Sequence, residues 1–138
     1  KKVICIGSAT KDIFVVLNET EIKENKENLT EKKTISLEFG AKIYAENLLE
    51  EVGGSAVNVA TGLNLGGFRS FVLARTDKSE VGKWIQKKIG RLKLKKNYMQ
   101  AQGADPSAIS VIISDKKHLD HTIIRTGDSV EWLIWKKP

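Results

Sequence analysis

A glycine pair and the polar residues after it are the first candidates for chemistry in this sequence. Gly53-Gly54 precedes Ser55, and Asn58 follows about one helical turn later. Glycine lets the backbone approach a ligand closely, and the first turn of a helix leaves N–H groups that can bind oxygen-rich ligands. The pattern therefore indicates a site for a polar ligand, although a Gly-Gly pair before a helix often forms only a tight turn.

Asp12 is the second candidate, because it lies between two apolar runs that each predict a strand. These runs are residues 3–6, which end at Gly7-Ser8, and residues 13–17. A carboxylate on a turn at the end of a buried strand lies where open α/β sheets bind their ligands. A turn-forming aspartate that bonds its own backbone is the alternative, and the residues alone do not decide between the two.

Two segments with helical periodicity would position these side chains. The small-residue segment from Ser55 ends at Gly66-Gly67, and residues 77–90 have a capping-box-like start at Asp77 and Glu80. The order of strand, helix, strand, helix, strand indicates an α/β fold with a parallel sheet. The later strands of this series are predicted at residues 70–74 and within 92–100.

Other segments predict strands outside the parallel sheet. Residues 108–114 and 122–125 are β-branched runs on either side of a polar stretch, which predicts a hairpin. Residues 34–39 and 42–49 are moderately strand-like and are separated by a glycine, while residues 46–51 also fit a helix. We therefore expect a second, smaller sheet beside the parallel one.

Composition indicates one soluble domain of 138 residues, with 41% hydrophobic residues, 29% charged residues and a net charge of +6. Residues 19–33 carry nearly balanced charges and few apolar side chains, so we expect a flexible excursion there. Cys5 is the only cysteine, which excludes an intrachain disulfide and suits a cytoplasmic location. No apolar run is long enough to span a bilayer, and the lysines form no stripe, so neither a membrane nor nucleic acid is expected as partner.

His118, Asp120 and His121 form a cluster of residue types that bind metals. On a strand, His118 and Asp120 share a face while His121 points away, so the three do not converge without a bend. We therefore expect a polar hairpin edge and no metal.

Taken together, these motifs resemble the N-terminal signature of the ribokinase-like (PfkB) sugar and nucleoside kinases. That signature has two glycines, a short gap, an asparagine, a small residue and then a glycine where Gly67 stands. The opening strand followed by Asp12 and the later Gly82 also match. The chain departs from the family at Asp77, where a glycine is usual, and at Thr10, where many members have asparagine. The resemblance runs nearly the whole length but covers only the first half of such an enzyme.

The resemblance implies a Rossmann-like, ribokinase-type parallel sheet with helices and a small antiparallel β lid, incomplete relative to the full family fold. The lid strands would lie around residues 13–17, 34–49 and 108–126. The implied activity is ATP-dependent phosphorylation of a sugar or nucleoside hydroxyl, with ATP and Mg²⁺ as cofactors of the complete enzyme and a homodimer formed through the lid strands. The implied substrate-binding residues are Asp12, Gly53, Gly54 and Asn58, with Ser55 as a lesser candidate.

No catalytic base is assigned. The family's base is an aspartate in a Gly-Ala-Gly-Asp motif far downstream, at a helix N-terminus. Two partial matches, at residues 102–105 and 126–129, are interpreted as turns, because Pro106 follows the first and neither precedes a small-residue helix. We expect the isolated chain to be catalytically silent. The alternative is a sugar-binding or subunit-interaction module derived from such a kinase.

Overall fold

The structure is a computed structural model that describes residues 1–17, 21–24, 33–101, 106–115 and 120–127. Within these residues the chain forms two helices and ten strands. The helices are α1 (Ser55–Leu65) and α2 (Glu80–Arg91), and neither of them, at 11 and 12 residues, has the length and apolar content that crossing a membrane requires. The strands are β1 (Lys2–Ile6), β2 (Thr10–Leu17), β3 (Glu21–Glu24), β4 (Lys33–Ser36), β5 (Ala45–Gly53), β6 (Arg69–Leu73), β7 (Arg75–Thr76), β8 (Gln100–Ala101), β9 (Ile109–Asp115) and β10 (His121–Thr126).

The parallel sheet is formed by β1 and β6, which pair along their full lengths starting from Lys2 opposite Arg69. Phe71 of β6 makes a further parallel bridge to Lys95, and β7 pairs in parallel with β8. These pairings confirm the α/β arrangement predicted from the order of the elements. A connection between parallel strands needs a crossover, and α1 provides it between β1 and β6.

A second sheet, here called the lid sheet, has the strand order β10-β9-β2-β5. β9 and β10 form the predicted antiparallel hairpin, and β5 pairs antiparallel with β2. β2 and β9 are parallel, so the lid sheet is mixed rather than purely antiparallel as expected. Both helices, together with β6, β7 and β8, lie between β2 and β9 in the sequence, and this long crossover brings the chain back in the direction of β2.

Asp12 lies inside β2, and not on a turn as the sequence pattern indicated. It is paired with Glu51 of β5 on one side and with Ser110 of β9 on the other. Residues 46–51 belong to β5, so their helical alternative is wrong. Strand pairing with distant partners decides both cases, because the preference of a segment for a strand depends strongly on its neighbours in the sheet.

A two-stranded hairpin of β3 and β4 is an element that the sequence analysis did not predict. β3 lies inside residues 19–33, where a flexible excursion was expected, and pairs antiparallel with β4. Of the predicted lid stretch 34–49, the lid sheet contains the part from Ala45 onward, while β4 belongs to this separate hairpin. The low apolar content of residues 19–33 gave no signal for β3, whereas β4 overlaps the strand-like residues 34–39.

The start of α2 also differs from its prediction. Ser79 is the N-cap, and its hydroxyl accepts a hydrogen bond of 3.3 Å from the N–H of Gly82. The helix therefore begins at Glu80 instead of Asp77. Serine is among the strongest N-cap residues, so it takes the role that the sequence analysis gave to Asp77 and Glu80.

The hydrophobic core lies between the parallel sheet and the two helices. Small side chains of α1, Ala56 and Ala60, let this helix pack closely on the sheet. α2 contributes Ile85 and Ile89, which are 0% exposed, and burying each stabilises the fold by roughly 1.5–3 kcal/mol. Cys5 of β1 is buried in the same core, and burial raises the pKa of its thiol.

Candidate functional site

The carboxylate of Asp12 lies directly against the backbone of Gly53, the last residue of β5. A Cβ atom at Gly53 would lie 2.8 Å from Cγ of Asp12 and closer still to its Oδ2. No other amino acid fits at Gly53 without moving this carboxylate. The side chain of Asp12 is half-buried, so part of its surface is open to a ligand.

Thr10 holds the other oxygen of the same carboxylate. Its side chain is buried, and Oγ1 donates a hydrogen bond of 2.7 Å to Oδ1 of Asp12. Thr10 also lies opposite Gly53 in the pairing of β2 with β5. The Asp12 carboxylate is therefore fixed at one oxygen by a hydrogen bond and at the other by contact with Gly53. In the sequence, Thr10 stands out only as a departure from the resembled family, and nothing local indicates its contact with Asp12.

Gly54 is the N-cap of α1 and has a conformation that favours glycine, with φ 97°. A Cβ atom there would lie 2.7 Å from the carbonyl carbon of Ser8 and 3.0 Å from Cα of Ala9. Both the backbone angle and the close approach therefore require glycine. This explains physically why the glycine pair stands immediately before the helix.

Ser8 and Ser55 join the end of β1 to the start of α1. The N–H of Ser8 donates to Oγ of Ser55 at 3.1 Å, and the N–H of Ser55 donates to Oγ of Ser8 at 3.0 Å. The N–H of Ala56 also donates to the carbonyl of Ser8, at 3.2 Å. Two N–H groups in the first turn of α1 are thus bound within the protein. Ser8 was not singled out in the sequence, and its place beside Gly7 at a strand end was the available signal.

Asn58 lies on the exposed side of α1, one turn after Gly54. The opposite side of the helix, with Ala56, Val57 and Ala60, is buried against the core. In the part of the chain that the structure describes, the side chain of Asn58 forms no hydrogen bond to Asp12. The structure thus joins Asp12 to the glycine pair by contact and places Asn58 beyond that pair, so a shared ligand site for Asp12 and Asn58 stays a prediction.

Asp77 belongs to a second polar cluster that sequence analysis missed. Its Oδ1 accepts hydrogen bonds from the hydroxyls of Ser107, at 2.6 Å, and Ser79, at 2.8 Å. Its N–H donates to Oγ of Ser107 at 2.9 Å. Burial alone would raise the pKa of Asp77, but these hydrogen bonds outweigh it and hold the pKa below its ordinary value. The cluster ties the loop before α2 to the loop before β9.

Gly82 takes part in the same region by leaving room for Asp77. A Cβ atom at Gly82 would lie 2.9 Å from the carbonyl carbon of Asp77 and closer to its oxygen atoms. The first turn of α2 can therefore pack on the backbone of Asp77 only with glycine at this position. Packing is thus sufficient to explain the glycine at position 82, which is one of the matches to the resembled family.

An ionic cluster connects the lid sheet to α2. Lys11 pairs with Glu50 at 2.6 Å, and Lys88 pairs with Glu51 at 3.2 Å. The ammonium groups of Lys11 and Lys88 lie 5.0 and 5.1 Å from the ring centre of Trp84, within range of a cation–π interaction. These contacts fix the position of the sheet that carries Asp12 relative to α2.

A groove of about 350 Å³ lies beside this cluster. Lys11 and Asp12 are successive residues of β2, so their side chains point to opposite faces of the lid sheet. The groove is therefore on the other face from the Asp12 carboxylate and does not belong to the same site. It is lined by Lys11, Glu80, Val81, Lys83, Trp84 and Lys87.

Some predicted features lie outside the described residues. These are His118 of the polar cluster, the partial match to the base motif at residues 102–105, and residues 128–129 of the second partial match at residues 126–129. Asp120 and His121 are described, and a carboxylate oxygen of Asp120 accepts a hydrogen bond of 2.9 Å from the backbone N–H of His121.

Solved structures of ribokinases and nucleoside kinases share this fold. A protein from Agrobacterium tumefaciens assigned as a ribokinase superposes with a TM-score of 0.75 at 20% identity, over 93% of this chain and 36% of its own. Ribokinase from Arabidopsis thaliana, solved with ribose and ATP, superposes with a TM-score of 0.65 at 19% identity, over 92% of this chain and 36% of its own. A nucleoside kinase from Burkholderia thailandensis, solved with inosine, superposes with a TM-score of 0.64 at 18% identity, over 93% of this chain and 36% of its own. No protein-family model matches the sequence, and no curated protein matches it either.

The likeness covers nearly all of this chain but only part of the solved kinases. The chain spans about 36% of their length. At identities of 18–20% the likeness establishes the fold and not the activity. The expectation from the sequence motifs is confirmed at that level: the chain has the ribokinase-type fold, a parallel α/β sheet with a β lid, over about a third of the length of such a kinase.

Proposed function

We propose that this chain forms the substrate-binding part of a ribokinase-type kinase that transfers the γ-phosphoryl group of ATP to a sugar or nucleoside hydroxyl. The observation that carries the proposal is the Asp12 carboxylate, held by Thr10 and packed on Gly53 at the entry to α1. Relatives in fold were solved with ribose and with inosine. Both compounds carry a ribose ring, whose hydroxyls suit a fixed carboxylate acceptor.

Each proposed binding residue has a distinct task. The Asp12 carboxylate accepts hydrogen bonds from two hydroxyls of the ligand, and the amide of Asn58 both donates and accepts. Gly53 and Gly54 let the backbone approach the ligand and act as a hinge between the lid sheet and α1. Ser55 has a smaller part, because its hydroxyl and N–H are already bonded to Ser8. Phosphoryl transfer depends mainly on such positioning of the attacking hydroxyl.

No described residue is proposed as the catalytic base. A general base works best when its pKa lies near the working pH. The carboxylate of Asp77 has a pKa below its ordinary value and is bonded to two serine hydroxyls, so it is unsuited to that role. ATP and Mg²⁺ belong to the activity of the whole kinase, and no residue of this chain is assigned to them. The 138-residue chain alone is therefore expected to bind substrate without turnover.

Calorimetry with ribose and with inosine tests the binding role of Asp12. We expect the wild-type chain to bind at least one of them, and Asp12→Asn to weaken that binding about tenfold or more, because an amide replaces a charged acceptor. Asp120→Asn is the matched control, since Asp120 is an exposed carboxylate at the start of β10. Equal affinity of both variants, or no binding by the wild type to any sugar or nucleoside, would remove the basis of the proposal. ADP formed by the isolated chain in the presence of ribose would contradict the expected lack of turnover.

A homodimer through the lid sheet is part of the proposal. Four apolar side chains on this sheet are about half exposed or more, Leu48 at 59%, Leu49 at 52%, Ile123 at 52% and Ile124 at 54%. They lie on β5 and β10, the two edge strands of the sheet, and exposed edge strands favour association. Sedimentation equilibrium should show dimers that Ile124→Glu dissociates. Cytoplasmic location is also proposed, on the basis of the unpaired, buried thiol of Cys5.

The alternative is a catalytically silent module that binds a sugar or a subunit without a complete kinase. Exposed apolar faces favour it, because a partner subunit would cover them. Adding nucleotide separates the two functions. A nucleotide effect on sugar affinity, measured with the full-length gene product, supports the kinase, whereas sugar binding that nucleotide leaves unchanged supports the silent module.

A further inference from the structure

The groove of about 350 Å³ between α2 and the start of β2, here called the Trp84 groove, is a cavity that the proposed substrate site does not use. Five of its six lining residues belong to α2, and the sixth is Lys11 of β2. The Asp12 carboxylate lies on the opposite face of the lid sheet. Small-molecule sites in proteins have volumes of about 300–1,000 Å³, so the groove has room for a small ligand.

The lining of the Trp84 groove is positively charged. Three of its six side chains are lysines and one is a glutamate, so the lining carries two net positive charges. Lys83 and Lys87 stand four residues apart on α2 and therefore lie on the same side of the helix. Lys11 approaches from β2, with its ammonium 5.0 Å from the ring centre of Trp84. A ligand with two negative charges would balance this lining.

The three lysines can bind a ligand without giving up a strong partner. Lys87 forms no ion pair within the part of the chain that the structure describes. Lys83 pairs with Glu80, but these side chains are 66% and 90% exposed, and such an exposed pair stabilises little. Lys11 pairs with Glu50, which does not line the groove. An ammonium has three N–H donors, so Lys11 can hold Glu50 and a ligand at the same time.

Val81 and Trp84 give the groove an apolar wall. Both side chains are half-buried, so each has surface left for a ligand. The indole ring is a large and rigid contact surface, and holding it in place costs little conformational entropy. A ligand that fits the groove therefore joins an anionic head to a small apolar part.

We infer that the Trp84 groove binds a small phosphate monoester. The phosphate contacts Lys11, Lys83 and Lys87. The organic part of the ligand packs on Val81 and Trp84. A phosphate monoester carries about −1.5 to −2 charges at pH 7 and presents three acceptor oxygens, which match the three lysines. A carboxylate has a single charge and two oxygens, so it matches this lining less well. Lysine is a common phosphate ligand in proteins, where it acts as a point charge.

The test compares three ligands by NMR titration of the full chain labelled with ¹⁵N, at physiological salt. Phenyl phosphate has a phosphate head and a flat apolar ring, phenyl sulfate has nearly the same shape with one charge, and inorganic phosphate lacks the ring. We expect phenyl phosphate to shift the indole N–H signal of Trp84 and the amide signals of Lys83 and Lys87. It should bind about tenfold more tightly than each of the others, because phenyl sulfate loses charge and inorganic phosphate loses the apolar contact.

Removing one cation from the groove gives the second half of the test. Lys87→Gln should weaken the binding of phenyl phosphate about tenfold, because one charge-assisted hydrogen bond is lost. Arg91→Gln is the matched control, since Arg91 is an exposed cation one turn further along α2 and does not line the groove. The affinity of this control should match that of the wild type. Both side chains are exposed, and circular dichroism checks that both variants are folded.

Four results would overturn the inference. These are the absence of saturable binding, equal affinity for the three ligands, equal losses of affinity in Lys87→Gln and Arg91→Gln, and shifts confined to the residues around Asp12. Asp12→Asn leaves the groove unchanged, so its affinity for phenyl phosphate should match that of the wild type. Failure of ribose or inosine to bind would leave the inference intact, so the two proposals can fail separately.

Discussion

The hydroxyl of Thr10 donates a hydrogen bond of 2.7 Å to Oδ1 of Asp12, and this contact fixes the carboxylate on which the proposed substrate site depends. Thr10 is buried and cannot move easily to another partner. The same carboxylate touches Gly53, so its position is determined from two sides. Thr10 stands where many members of the resembled family have asparagine, and we expect it to act on the proposed ligand through Asp12.

Thr10→Val should weaken ribose or inosine binding while leaving the fold intact. Valine has nearly the same shape as threonine but no hydroxyl, so Asp12 loses its donor and the free energy of unfolding falls by about 1 kcal/mol. Calorimetry and thermal unfolding measure the two effects. Thr10→Ser is the control, because serine keeps the hydroxyl and this variant should retain the affinity of the wild type. If the serine variant loses as much affinity as the valine variant, the hydroxyl does not matter and Thr10 acts through packing alone.

Gly54→Ala should destabilise the chain by more than about 2 kcal/mol, because alanine is strained at φ 97° and its Cβ would meet the backbone of Ser8 and Ala9. Gly62→Ala is the matched control inside α1, where a Cβ meets nothing within 4 Å. That change should stabilise the helix by about 0.5–1 kcal/mol. Urea unfolding of both variants measures the difference, and similar effects at the two positions would contradict the close approach described.

Asp77 should make stability depend on pH in the acid range. Its pKa in the folded chain is below the ordinary value of 3.8, so its contribution to stability is present above that value and is lost as pH falls through the folded pKa. Urea unfolding of wild type and Asp77→Asn should show a difference at pH 6 that shrinks below about pH 4. A difference that does not change with pH would show that the hydrogen bonds from Ser79 and Ser107 do not favour the charged form.

Ile89→Ala should cost about 2–5 kcal/mol, because Ile89 is 0% exposed and its loss leaves a cavity between α2 and the sheet. Ile124→Ala makes the same chemical change on β10, where the side chain is 54% exposed, and should cost far less. Chemical denaturation of the monomer measures both. Comparable losses at the two positions would indicate that the core between sheet and helices is not the main source of stability.

Local sequence patterns predicted the helices and most strands. The small residues between Gly54 and Gly66 correctly identified α1, and the apolar stripe of α2 correctly identified its body, because helical periodicity is a property of neighbours three and four residues apart. The N-cap of α2 was placed wrongly at Asp77. Two candidates that stand two residues apart, Asp77 and Ser79, both suit a cap. Ser79 bonds to the N–H of Gly82, while Asp77 accepts a hydrogen bond from the distant Ser107.

The sequence by itself determined the α/β arrangement and the hairpin of β9 and β10, because both are encoded in short-range periodicity. Its motifs also indicated the ribokinase-type fold, through their resemblance to a known family. The tertiary structure alone decided that Asp12 lies inside a strand, that Thr10 orients its carboxylate and that Ser8 and Ser55 are hydrogen-bonded to each other. It also decided the contact between Asp77 and Ser107, which are 30 residues apart, and the parallel pairing of β2 with β9. These features depend on pairings between distant segments, and such pairings form only when the chain has folded.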